Sequence, residues 1–162
     1  MLVDRERPVD PSLVDELCAL ATWAPNHKHT WPWRFAALTG DSRARLGAAF
    51  ADDMEVRGFG DEGKRTKTRT KYTRTPTVLA VAAAAHTNEL FHLENQYAVA
   101  AGIQNLLLGA TALGLASFWG SPPLADSPAA LEVCGFDPTD VLVGVIYLGW
   151  SLSTPAIPER PA

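Results

Sequence analysis

The chain is short of cysteine, has no strong excess of one charge and has no membrane-length apolar run, and each shortage removes a class of function. Its two cysteines, Cys18 and Cys134, lie far apart in apolar surroundings. They read as buried small hydrophobes rather than a disulfide, and no CxxC or Cys/His spacing suggests zinc. Fourteen Lys and Arg stand against 18 Asp and Glu, a formal net charge of -4, so there is no global attraction to nucleic acid or an anionic membrane. The longest apolar stretch, Tyr97 to Leu113, is interrupted by Gln104-Asn105. It falls short of the ~20 residues a membrane span needs and reads as a buried helix. Met1-Leu2-Val3-Asp4-Arg5 has no apolar core of signal-peptide length, and with the sparse cysteines the expected location is a reducing cytoplasm. No GxGxxG loop is present, which argues against a Rossmann dinucleotide domain. His86 and His92 have no suitably spaced nucleophile and acid, so a hydrolase triad is not supported.

What is there suits one globular domain spanning residues 1–162, long enough to bury roughly two-thirds of its unfolded surface. Asp10 before Pro11 is a good helix start, Leu13, Leu17, Leu20 and Ala21 recur at helical spacing, and Pro25 ends the run. Asn26 to Pro32 reads as a polar-aromatic loop and Trp33 to Leu38 as a strand. A helix follows from about Ser42 to Met54. Thr77 to Ala85 is almost wholly apolar, as expected of a strand covered on both faces. A long helix from about Leu90 to Leu113 precedes a strand at Leu115 to Trp119, a short helix at Pro128 to Cys134 and a buried strand at Val141 to Leu148. The tail after Gly149 is proline-rich and reads as extended. There is no internal repeat and no linker.

The long helix is apolar almost all round and must be covered on all sides. Gly102 and Gly109, with Ala98 and Ala101 nearby, make a face of small residues that another helix could approach closely. A symmetry mate in a two-fold dimer is the preferred cover, with wrapping inside a monomer as the alternative.

Ala21-Thr22-Trp23-Ala24-Pro25-Asn26-His27-Lys28, followed by Trp31-Pro32-Trp33-Arg34-Phe35, resembles the signature of the nitroreductase family. Glu94-Asn95 in the long helix, Gly114-Leu115-Ala116-Ser117-Phe118-Trp119-Gly120-Ser121, and Val143 to Gly149 match its small branch in order. The resemblance implies an α+β fold, a central mixed sheet flanked by helices, with a long buried helix at the interface of a homodimer. It also implies FMN bound in clefts at that interface. A hydride would pass from NADH or NADPH to FMN, then electrons to a nitro compound, quinone or other small acceptor. Two further readings stay open: a flavin-binding or storage protein with little turnover, and an FMN oxidase of a specialised metabolite.

The same resemblance marks the cofactor contacts. His27 matches a position that faces the flavin, Trp23 one where relatives carry a basic residue, and Asn26 is a neighbour in the same loop. Trp119, Gly120 and Ser121 match a segment along the flavin, where glycine permits close backbone approach. Family members hold the FMN phosphate with an Arg-Arg-Ser-type motif. Counting back from the first helix, it would fall at or just before Met1. Either the natural chain starts upstream, or Arg5, Arg7 and Arg160 substitute, Arg160 being the preferred one. Finally, Lys64-Arg65-Thr66-Lys67-Thr68-Arg69-Thr70-Lys71-Tyr72-Thr73-Arg74 concentrates six basic residues. Such a run is usually a solvated, mobile face. It could also cover the flavin cleft and attract the NADPH 2′-phosphate.

Overall fold

The computed structural model describes residues 2–153. Five strands form one sheet: β1 (Val3–Asp4), β2 (Trp33–Leu38), β3 (Thr77–Ala83), β4 (Leu115–Gly120) and β5 (Val141–Ser151). Five helices cover it: α1 (Pro11–Ala21), α2 (Asp41–Val56), α3 (Glu62–Lys71), α4 (Glu89–Ala112) and α5 (Pro128–Cys134). The α+β class is as expected. No helix among the described residues is long and apolar enough to cross a membrane.

β5 is the hub of the sheet. It pairs with β1, β3 and β4, and β3 pairs in turn with β2. Every pairing among the described residues is antiparallel, where the resemblance implies a mixed sheet. β3 is buried along its whole length because helices lie on both faces. Leu79, Val81 and Ala83 face a core with Val14, Leu17 and Ala21 of α1 and Val99, Ile103 and Leu106 of α4. Val78, Ala80 and Ala82 face the opposite core, with Leu46 and Phe50 of α2, Leu131 of α5 and Tyr72. One register break falls between Val81, opposite Gly144, and Ala82, opposite Leu142. The extra residue is Val143, whose carbonyl accepts a hydrogen bond from Trp119 Nε1 at 3.3 Å. A bulge is thus coupled directly to the end of β4.

Local sequence explains the helix starts. The Asp10 carboxylate accepts from the Ser12 N–H at 2.9 Å with Pro11 in the first turn, and Asn88 and Ser127 cap α4 and α5 in the same way. The basic run departs from the expectation of a mobile face: Glu62–Lys71 is the ordered helix α3, whose Asp61 cap accepts from the Lys64 N–H at 2.7 Å. Its only buried residue is Thr68, so no apolar period marks it in the sequence.

The small-residue face of α4 also has another role than expected. A Cβ on Gly102 would lie 2.6 Å from the Ala21 carbonyl oxygen, and one on Gly109 would lie 2.6 Å from Leu20 Cδ1. Both glycines pack α4 against α1 of the same chain. The uncovered stripe is a different one: Leu90, Leu93, Tyr97 and Leu108 are exposed at near-heptad spacing.

Burial of acidic hydrogens gives the fold an alkaline limit. Burial, helped by Asp15, pushes the Cys18 thiol up to about 11. Burial alone lifts Cys134 to about 12, and it lifts Tyr147 to about 12 against a small opposing effect of Arg74. Because these groups hold their protons more tightly folded than unfolded, their contribution is intact below the unfolded thiol value of about 9 and lost as pH rises towards 11–12. The melting temperature is expected to be flat from pH 7 to 8.5 and to fall steadily above pH 9. At pH 8 both thiols of the native protein should resist iodoacetamide and react on addition of urea.

Candidate active site

The segment Trp119-Gly120-Ser121 ends β4 beside β5, at a cleft of about 520 Å³. Phe118, Tyr147, Lys71, Arg74 and Thr75 complete its lining. The sheet register is what assembles it, since Phe118 lies opposite Tyr147 across β4–β5 while Val78 lies opposite Tyr147 across β3–β5. The two rings are 6.1 Å apart, and Tyr147 stacks in turn on buried Tyr72 at 5.9 Å with planes 3° apart. A Cβ on Gly120 would come within 3.1 Å of Tyr147 Cε2, so glycine keeps this wall shallow. The Trp119 indole is fixed by its bond to the Val143 carbonyl and lies over Gly144.

The other wall is cationic. Lys71 Nζ sits 4.9 Å from the centroid of the Tyr72 ring. Burial holds its ammonium below the usual lysine range, and the nearby charges of Arg74, Lys64 and Lys67 depress it further. The cleft therefore combines aromatic surface, a close backbone turn and two cations, which suits a flat ligand carrying anionic groups.

Asn26 and His27 lie elsewhere, at the N-terminal half of α4. His27 Nδ1 is 2.7 Å from Glu94 Oε2, and its ring meets Phe91 edge-on at 5.8 Å. Asn26 Oδ1 accepts from the Trp31 N–H at 2.9 Å, and Asn26 Nδ2 donates to Thr30 Oγ1 at 3.0 Å. Thr30 then donates to buried Asn95 at 2.5 Å, and Asn95 Nδ2 donates to the Ala84 carbonyl at 2.9 Å. This network holds a loop in which Lys28, His29 and Trp31 all have positive φ, between 51° and 60°. Such non-glycine conformations cost energy and persist only where surroundings enforce them. Trp23, at the end of α1, is 83% exposed and joins neither group.

Within one chain, then, the six described residues singled out from sequence form two separate groups and one isolated tryptophan. Arg160 lies outside the described residues. Arg5 is exposed, and the Arg7 guanidinium lies 3.9 Å over the Trp150 ring. The residues that sequence reasoning left out of the site are Lys71, Arg74, Phe118 and Tyr147, together with Glu94 behind His27. Lys71 and Arg74 carried a signal, their place in the basic run. Tyr147 carried one in the Tyr-Leu-Gly close of the last strand.

Comparison with known proteins bears on what such a cleft is for. A model of the nitroreductase family matches residues 4–150. The Escherichia coli (strain K12) protein named "Putative NAD(P)H nitroreductase YdjA" is 29% identical over 127 residues, covering 78% of this chain and 69% of that protein. A nitroreductase-like family protein from Bacillus cereus superposes with a TM-score of 0.81 at 27% identity, covering all of this chain and 86% of the other. A Bacteroides fragilis nitroreductase crystallised with bound FMN superposes with a TM-score of 0.72 at 22% identity, covering 99% and 87%.

Proposed function

The chain belongs to the nitroreductase family, and on that premise we propose that it is an FMN-dependent NAD(P)H oxidoreductase acting on small electron-poor acceptors such as nitro compounds and quinones. The observation that carries this reading is the cleft at the end of β4. Its residues fit FMN in kind: Phe118 and Tyr147 offer apolar surface to a flat ring system, Gly120 and Ser121 bring backbone close, and Lys71 and Arg74 supply positive charge. Flavin held by these residues would supply the redox chemistry between nicotinamide and acceptor. The chain's own share is binding and orientation. Lys71 and Arg74 attract electron-rich edges or phosphate, and Phe118 with the stacked pair Tyr147 and Tyr72 forms an aromatic wall.

The working unit in this reading is a two-fold homodimer. Leu90, Leu93, Tyr97 and Leu108 leave an apolar stripe uncovered along α4, and Trp23 and Trp31 are also exposed. Exposed apolar side chains aligned in that way suit an interaction surface. In an antiparallel two-fold crossing, the His27 loop beside the N-terminal half of α4 comes against the partner's C-terminal half. The separation of the candidate residues into two groups then reflects a cleft completed by two subunits, with Asn26, His27 and Trp23 facing the flavin of the partner.

The test is the absorption spectrum of protein purified with added FMN and desalted, followed by NAD(P)H oxidation with a quinone or nitroarene. A retained flavin band near one per subunit, with acceptor-dependent turnover, is the expected result. Flavin retained without nicotinamide turnover would favour storage, oxygen-dependent turnover without a nicotinamide would favour an oxidase, and a colourless protein would remove the cofactor reading.

A further inference from the structure

Four cations of the basic segment share one face. At 100° per residue, Lys64, Lys67, Lys71 and Arg74 fall within a narrow sector of α3 and the turn that follows it. Lys71 senses the charges of the other three, so the side chains are neighbours in space as well as in register. Among the described residues none of the four forms a salt bridge, although Arg69 on another face pairs with Asp52 at 2.7 Å. Four like charges set together with no ion-paired acid repel one another, and a multiply charged anion relieves that cost.

Position identifies the anion. Lys71 and Arg74 line the cleft, while Lys67 and Lys64 continue outward from it. The helical rise puts Lys64 roughly 10 Å beyond Lys71. A row of that length is longer than one phosphate needs and suits a dinucleotide lying along the helix. Lys64 is also placed by an aromatic neighbour, its Nζ standing 4.3 Å from the centroid of the Phe59 ring, which is 40% exposed.

We propose that Lys64 and Lys67 select NADPH over NADH by binding the 2′-phosphate of its adenosine ribose, with the nicotinamide end in the cleft beyond Lys71. This rests on the oxidoreductase reading above, yet the stripe can be probed without turnover. Titration of the purified protein with 2′,5′-ADP and with 5′-AMP reads it directly. The first is expected to bind at least tenfold more tightly, with an advantage that shrinks as salt is raised. The Lys64→Gln/Lys67→Gln variant should abolish that advantage and lower the ratio of kcat/KM for NADPH to that for NADH by tenfold or more. Equal binding of the two nucleotides by the wild type would overturn the proposal, as would an undiminished preference in the variant. Loss of FMN from the variant in step with loss of the preference would also overturn it, because the stripe would then hold the flavin phosphate. A protein that prefers 2′,5′-ADP but oxidises neither coenzyme would leave this site standing and sink the oxidoreductase reading alone. Both lysines are exposed, and salt dependence in the unmutated protein gives the same answer should the variant fold poorly.

Discussion

The Tyr97→Glu/Leu108→Glu double variant is expected to be a folded monomer that no longer retains FMN through desalting. Both residues are more than 60% exposed in the single chain and belong to neither core, so the far-ultraviolet circular dichroism should match the wild type. In a two-fold interface each substitution occurs twice. Every carboxylate trapped there without a partner costs roughly 2 kcal/mol or more. Four of them weaken association by several orders of magnitude, at about 1.4 kcal/mol per tenfold. Sedimentation or light scattering reads the oligomer, and absorbance reads the flavin. The two should fall together, because in the proposed dimer the loop of Asn26 and His27 reaches the cleft only from the partner. A monomer with full flavin occupancy would show that Lys71, Arg74, Phe118 and Tyr147 suffice, and would refute the shared cleft. A dimer persisting in the double variant would refute the use of this stripe.

The reading of this helix shows where sequence stops being informative. Its apolar character all round is plain in the sequence, and so is the need for cover on every side. Which face belongs to which cover is not, because glycine spacing says that something approaches closely without saying what. Gly102 and Gly109 receive α1 of their own chain, which the β-sheet route between residues 21 and 89 brings back alongside. The first and third helices make the complementary contrast. α1 was legible from Asp10-Pro11 and its leucine period, whereas α3 has no apolar period and is held by its Asp61 cap and by α2. In the candidate site, Trp119-Gly120-Ser121 could be read as a motif. Its neighbours carried only weak signals, a basic run and a Tyr-Leu-Gly close, because Lys71 and Tyr147 come to one cleft only through the pairing of β3, β4 and β5. Likewise His27 and Glu94 are 67 residues apart, and nothing local joins them.

Gly102→Ala is expected to lower unfolding stability by about 2–3 kcal/mol, although alanine is the better helix former by about 1 kcal/mol. The added Cβ would stand 2.6 Å from the Ala21 carbonyl oxygen and 2.7 Å from Trp33 Nε1. Ala21 is the last residue of α1 and fully buried, and Trp33 opens β2 with only 7% of its surface exposed. Neither can rotate away, so relief requires α1 and α4 to separate over a closely packed core. Gly109→Ala is the matched control on the same face, one seven-residue step along. There the nearest atoms are Leu20 Cδ1 at 2.6 Å and Leu17 Cδ2 at 3.1 Å, the ends of flexible side chains, and Leu20 is partly exposed. The helix-propensity gain offsets that crowding, and stability should stay within about 1 kcal/mol of wild type. Urea midpoints at unchanged slope measure both. The consequence at the site follows from connectivity, since the Ala21 carbonyl that Gly102 accommodates leads directly into Trp23, Asn26 and His27. Pushing α1 away displaces the loop whose His27 is held to Glu94 on α4 itself, so any Gly102→Ala protein that folds should retain less flavin than Gly109→Ala. Equal midpoints for the two variants would mean that the α1–α4 contact is looser than these distances require.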